Sequence, residues 1–216
     1  FIGYSDITIP ISQSLTIEDN MTMSFWMLPT EPENNDCCFT ILRAEDTDSW
    51  NSHDYKVQII QSDIAGSKMW NLYASPGGND ANHGDPGYMY GNEWVMVTVT
   101  TKQLLMNDSV GDPTGWHNFK FYYNGSLAYD NERQGTDYTF SSDQLVIGAM
   151  HRDNNSGKYS GKLDDIRIYN YPLTEEEVSN LYMRESQSVQ DDVFSSINLI
   201  TIPSGTLSTE VSLVAH

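Results

Sequence analysis

Apolar and aromatic residues recur along this chain in short runs separated by turn-forming residues, and only one stretch carries helical spacing. The runs predict strands at 5–9, 22–28, 39–43, 56–61, 69–74, 94–101, 118–123, 127–129, 144–148 and 162–169. Asn124-Gly125 joins two of them as a hairpin, because both central residues of a type I′ turn need positive φ and this pair tolerates it. Trp26 and Trp94 fall inside apolar strands and are expected in the core, whereas Trp70 and Trp116 are ambiguous. Three connections, 44–54, 75–93 and 150–161, are long and polar, and binding is to be sought there.

The segment from Gly161 to Tyr182 is the most informative. Alternation from Lys162 to Tyr169 places Leu163, Asp165, Arg167 and Tyr169 on one face of a strand and Lys162, Asp164, Ile166 and Ile168 on the other. Pro172 ends the strand. Thr174 and Glu177 then form a capping box, and Glu175, Glu176 and Glu177 crowd the helix start, where the dipole favours negative charge. Val178, Leu181 and Tyr182 give the short helix one apolar stripe with which to dock on a sheet. Asp164 and Asp165 are neighbours on opposite faces, so one carboxylate is expected to point inward, where it needs a partner.

This closing run, together with Ser24-Phe25-Trp26-Met27, Glu93-Trp94-Val95-Met96-Val97-Thr98-Val99, Phe121-Tyr122-Tyr123-Asn124-Gly125-Ser126 and Leu145-Val146-Ile147-Gly148 in the same order, resembles LamG-like jelly-roll domains. Those domains lie within the concanavalin A-like lectin and glucanase superfamily, and the resemblance covers residues 4–183. It implies an all-β fold: a two-sheet antiparallel jelly-roll sandwich with one short C-terminal helix, occupying 1–185. Residues 186–216 would follow as a polar linker at 186–192 and a strand-rich tail, in which 194–202 and 206–215 flank Pro203-Ser204-Gly205 as a β-hairpin. A lone hairpin is marginal in water, so this one needs the sandwich, a following domain or a neighbour to cover it.

The resemblance also implies a structural calcium. Asp164 resembles one of its ligands, with Asp165 beside it, and backbone carbonyls around Gly3 or Tyr4 and from an early loop would complete the oxygen shell. The competing expectation is that Asp164 or Asp165 pairs with Arg167 or caps a neighbouring amide. A second cation is a weaker candidate among Asp46, Asp48 and Asp54, with Asn79, Asp80 and Asp85 nearby. Acidic loop residues are more often simply solvated.

Charge narrows the partners. Against 30 Asp+Glu stand 11 Lys+Arg, a formal net charge of −19, and so negative a surface repels phosphate backbones. Nucleic acid and anionic membranes are poor partners for such a surface, and the expectation is no nucleic acid and no membrane insertion, while calcium, neutral sugars and basic protein surfaces are compatible. No apolar run approaches the ~20 residues needed to span a bilayer. The chain opens on Phe1 inside a strand-like run without a starting Met, which suggests removed or omitted upstream residues. Sequons at Asn20, Asn107, Asn124 and Asn154 are candidate N-glycosylation sites if the source is secretory. Cys37 and Cys38 are adjacent, which allows a vicinal disulfide in a distorted turn or two free thiols but not a zinc site.

Retaining glucan hydrolysis needs two carboxyl groups about 5 to 5.5 Å apart, and the chain has no Glu-x-Asp-x-x-Glu pattern to supply them. Gly-x-Ser-x-Gly is also missing, and the expectation is a non-enzyme. Sugar recognition needs exposed aromatic platforms beside amides and carboxylates. Trp50, Tyr88 and Tyr90 have that character, with His151, Arg152, Asp153, Asn154 and Asn155 as hydrogen-bonding partners; lidding the open end of the sandwich is the alternative role for the aromatics. Two functions are therefore expected in competition. One is an extracellular or cell-surface recognition module for glycans or glycoproteins, with calcium. The other is a structural subunit of a surface filament, appendage or virion, assembled through the jelly roll and the C-terminal hairpin onto neighbouring subunits.

Overall fold

The computed structural model describes residues 7–10, 20–29, 39–45, 55–64, 67–76, 93–107, 113–134, 144–148, 159 and 161–191. Ten strands and one helix follow in order: β1 Ile7–Pro10, β2 Met21–Pro29, β3 Phe39–Glu45, β4 Tyr55–Ile64, β5 Ser67–Pro76, β6 Val95–Asn107, β7 Pro113–Tyr123, β8 Ser126–Gln134, β9 Gln144–Ile147, β10 Gly161–Tyr169 and α1 Glu175–Asp191. They form two five-stranded sheets, ordered β1-β9-β3-β4-β5 and β10-β2-β6-β7-β8. Every pairing is antiparallel. The expected two-sheet sandwich is what forms, and each strand expected up to residue 169 appears with ends that differ by a few residues, while the C-terminal hairpin expected at 194–202 and 206–215 lies outside the described residues.

Alternation along the second sheet builds the core. Met21, Met23, Phe25 and Met27 of β2 share one face with Val97 and Val99 of β6 and Phe119 and Phe121 of β7, and all are buried. Leu145 and Ile147 of the other sheet close over them, with Tyr159 beside them. Tyr159 is anchored at both ends, its amide donating to Gly148 O at 2.8 Å and its hydroxyl to Lys162 O at 3.1 Å. Dry burial holds its phenol un-ionised, pushing its pKa far up.

The opposite face of the same sheet carries α1. Met96, Tyr122, Leu173, Val178 and Leu181 form a second buried cluster, with Trp26, Tyr169 and Tyr182 packed against it. The capping box is made: Glu177 N donates to Thr174 Oγ1 at 3.2 Å and Thr174 N to Glu177 Oε2 at 2.8 Å. Thr22, on β2, locks the strand-to-helix turn by donating to Tyr171 O at 2.9 Å and accepting from Leu173 N at 2.8 Å. Asn124 and Gly125 adopt φ of 48° and 76°, the expected type I′ turn. A Cβ at Gly125 would come within 2.8 Å of Tyr182 Cβ, so glycine serves both the turn and the close approach of the helix.

Three expectations are corrected. Regular alternation along β10 breaks at a register shift between Asp164 and Arg167, with Asp165 at φ 49°. The extra residue of this bulge puts Leu163 on the inner face with Ile166 and Ile168, and turns Arg167 and Tyr169 to the helix side. Trp94 is not core: it stands just before β6 and is 40% exposed. The helix is not short, because α1 continues to Asp191 through most of the segment expected as a linker.

Candidate functional site

The β10 bulge is where charged groups gather beneath the helix. Asp164 is exposed and accepts a hydrogen bond from the Asp165 amide at 2.9 Å. Asp165 Oδ1 lies 3.5 Å from Arg167 Nη2. Arg167 reaches under α1, where its Nη1 meets Glu185 Oε2 at 2.5 Å. The same carboxylate oxygen accepts from Trp26 Nε1 at 3.3 Å. Both ends of this ion pair are buried, at 8% and 6% exposure, so helix, closing strand and β2 meet at one charge-assisted contact.

Burial dominates the acids. It pushes Glu185 above the ordinary glutamate range, although the Arg167 guanidinium and the Trp26 indole favour the charged form. Partial burial also raises Asp164; the Asp165 amide opposes this, the Asp165 charge adds to it, and Arg167 again opposes it. At the start of the helix, Lys120 Nζ bridges Glu175 Oε1 at 2.8 Å and Asp130 Oδ2 at 3.4 Å, and its pKa is raised first by the Glu175 bond.

Of the two alternatives for the aspartate pair, local pairing occurs: Asp164 caps an amide and Asp165 faces Arg167. Neither excludes an oxygen donor role for Asp164. Among the described residues, no three His, Cys, Asp or Glu side chains stand close enough to hold a metal, so a cation here would draw its remaining ligands from elsewhere. Gly3, Asp46, Asp48, Trp50, Asp54, Tyr88, Tyr90, His151, Asp153, Asn155, Cys37, Cys38 and Asn154 lie outside the described residues. Of the other sequons, Asn20 and Asn124 are exposed, and each uses its side-chain carbonyl locally, accepting from Gln103 N and Met96 N, both at 3.0 Å. Asn107 ends β6.

Glu185 was not expected to matter. Its signal was present, since Val178, Leu181, Tyr182 and Glu185 continue one i, i+3, i+4, i+7 stripe, but a lone glutamate on an apolar face reads as a helix edge.

A family model described as the concanavalin A-like lectin/glucanases superfamily matches residues 2–179. No curated protein matches the chain closely enough to count as a relative. Solved structures of similar fold include domain 4 of AbnA, a GH43 extracellular arabinanase from Geobacillus stearothermophilus, in complex with arabinotriose. It is 17% identical with a TM-score of 0.51, the match covering 81% of this chain and 72% of that one. The botulinum neurotoxin serotype G binding domain matches at 23% identity and a TM-score of 0.52, over 85% of this chain and 41% of that one. A botulinum neurotoxin type C structure, described as dependent for cell entry on two ganglioside molecules, matches at 17% identity and 0.51, over 83% and 39%. The chain thus spans about two fifths of the neurotoxin structures it resembles. Identities this low carry the fold alone.

Proposed function

The chain belongs to the concanavalin A-like lectin/glucanases superfamily, and from that premise we propose that it is a non-catalytic, extracellular carbohydrate-recognition module. The observation that carries the reading is the jelly roll shared with an arabinanase domain solved holding arabinotriose. Support also comes from the missing Glu-x-Asp-x-x-Glu strand motif, without which the superfamily's hydrolytic members have no counterpart here. On this reading, Trp50, Tyr88 and Tyr90 provide apolar platforms for pyranose faces, and Asp46, Asp48, Asp54, His151, Asp153 and Asn155 bind the hydroxyl rim.

Calcium is proposed as the stabilising ion, with Asp164 as a ligand, Asp165 adding charge beside it and Gly3 supplying a carbonyl. What supports this is the state of Asp164. Its carboxyl is partly desolvated and next to a second acid, a situation that a bound cation would relieve.

A glycan array including arabinan oligosaccharides and ganglioside headgroups tests the first proposal. Binding that is lost in Trp50→Ala is expected, and silence across the panel refutes it. Thermal unfolding with calcium or chelator tests the second. The expected calcium-dependent rise in Tm should vanish in Asp164→Ala, and an equal rise in that variant would place the ion elsewhere.

A further inference from the structure

Asn124-Gly125 is the chain's one Asn-Gly pair, and that pair carries a chemistry of its own. Glycine has no side chain to shield its amide nitrogen, so in an open chain the Gly125 nitrogen reaches the Asn124 side-chain carbon. Attack there forms an N–Cγ bond and breaks the Cγ–Nδ2 bond, and with the Gly125 amide proton passing to Nδ2, ammonia leaves. A five-membered imide remains. Water then opens it at either carbonyl, giving aspartate or isoaspartate, the latter with Cβ inserted into the main chain.

In the folded chain three features hold the reactants apart. At φ 48° and 76° the two residues form the type I′ turn between β7 and β8. The first central residue of such a turn has ψ of about +30°, which points the Gly125 nitrogen away from the Asn124 side chain. Asn124 is exposed, yet its Oδ1 accepts from Met96 N at 3.0 Å while its own amide donates to Met96 O at 2.9 Å. Both bonds stitch the turn to β6. On the helix side, Tyr182 bears on the glycine, its Cβ 2.8 Å from where a Gly125 Cβ would stand. Solvent reaches the amide, but the nucleophile does not until the turn opens.

We infer that Asn124 is a deamidation site gated by this turn: the imide closes only when the β7–β8 hairpin lets go of Met96 and Tyr182, and the isoaspartate that results unseats α1. The two products differ in what the fold can hold. Aspartate keeps an oxygen for Met96 N and tolerates the left-handed region. Isoaspartate lengthens a two-residue turn that is fixed at both strand ends and pressed by Tyr182, so the strand register, the Met96 bonds and the helix contact are not all kept. Tyr182 packs its ring against Trp26 at 5.9 Å, and Trp26 donates to Glu185, so the disturbance passes from the turn toward the buried charge pair. The inference is independent of sugar binding.

The test is incubation of the full chain at mildly alkaline pH, in buffer and in denaturing guanidinium chloride, with the tryptic peptide 121–133 followed by fragmentation mass spectrometry and its isoaspartate counted by enzymatic methylation. Modification at Asn124 should be at least about tenfold slower in buffer than in denaturant, the factor expected when two hydrogen bonds must open first. Tyr182→Ala, which lifts the helix side chain from the turn without touching the reacting residues, should raise the buffer rate and leave the denatured rate alone. The purified isoaspartate chain should unfold at lower denaturant than wild type, with Asn124→Asp close to wild type. Equal wild-type rates in buffer and denaturant overturn the gate, whether or not Tyr182→Ala folds, and an unchanged buffer rate in that variant removes the helix from it. Modification that falls elsewhere in the peptide overturns the site, and an isoaspartate chain as stable as Asn124→Asp overturns the unseating of α1.

Discussion

Removing either end of the Arg167–Glu185 pair should loosen the helix from the sheet far more than removing both. The pair is buried on both sides, with side-chain exposures of 10% and 7%. Arg167→Met takes from Glu185 its closest partner and leaves it the Trp26 indole and the exposed Arg184 at 3.8 Å, and Glu185→Leu leaves a buried guanidinium with Asp165 at 3.5 Å. Breaking a buried pair from one side costs about 3–5 kcal/mol, so the two single changes sum to about 6–10 kcal/mol if they act independently. The double variant behaves differently. Its apolar side chains are no worse than the pair and gain up to about 4 kcal/mol, while the orphaned Trp26 Nε1 loses about 1–3 kcal/mol. The net is near zero. Urea unfolding of the four proteins at neutral pH, with m-values compared to confirm a common unfolded state, gives the coupling directly. Additive single costs, or an Arg167→Met loss below about 1 kcal/mol, would show that the contact behaves as a solvated surface pair and that the helix is held by its apolar stripe alone.

Glu185 and Asp164 are both raised in the fold, so protonation favours the folded chain: their contribution is complete below the unfolded values and is lost as pH rises through the folded ones. Urea midpoints between about pH 4 and pH 7 should therefore fall less steeply with rising pH in Glu185→Gln than in wild type; equal slopes refute the assignment. Gly125→Ala meets both a positive φ and Tyr182 Cβ, and should cost at least about 2 kcal/mol in chemical denaturation. Asp165→Gly keeps the φ of 49° available without the left-handed penalty, yet also removes the Arg167 contact. Asp165→Asn, which tolerates the same region, should therefore be the milder change in thermal melts. Thr174→Ala removes the N-cap oxygen and should cost about 1 kcal/mol, measured by the same unfolding assay.

How much of this was legible depends on which interactions repeat. Strands were readable because a half-buried sheet imposes one constraint at every second residue, and Met21, Met23, Phe25 and Met27 state it four times. Asn124-Gly125 was readable because positive φ narrows the residue choice. The β10 bulge was not, since one left-handed aspartate inside an otherwise alternating run leaves the pattern intact to the eye while exchanging the faces on its two sides. Trp94 is not legible as exposed because its apolar neighbours continue the β6 alternation, whereas the strand begins one residue later, at Val95, and leaves the indole 40% exposed. Residues 186–191 looked like linker by polarity, but a helix already nucleated and docked extends at little cost through polar residues. The Arg167–Glu185 contact combines these blind spots. It needs the bulge to turn Arg167 outward, the helix heading to bring Glu185 above it, and Trp26 to stand on the same face. None of the three is a property of neighbouring residues, and a charge pair 18 residues apart has no periodicity to announce it. The helix register nevertheless follows from it. Shifting α1 by one residue along its axis would move Glu185 about 100° around the helix, away from both Arg167 and Trp26, so the buried pair penalises every register but one, while the apolar stripe alone would tolerate several.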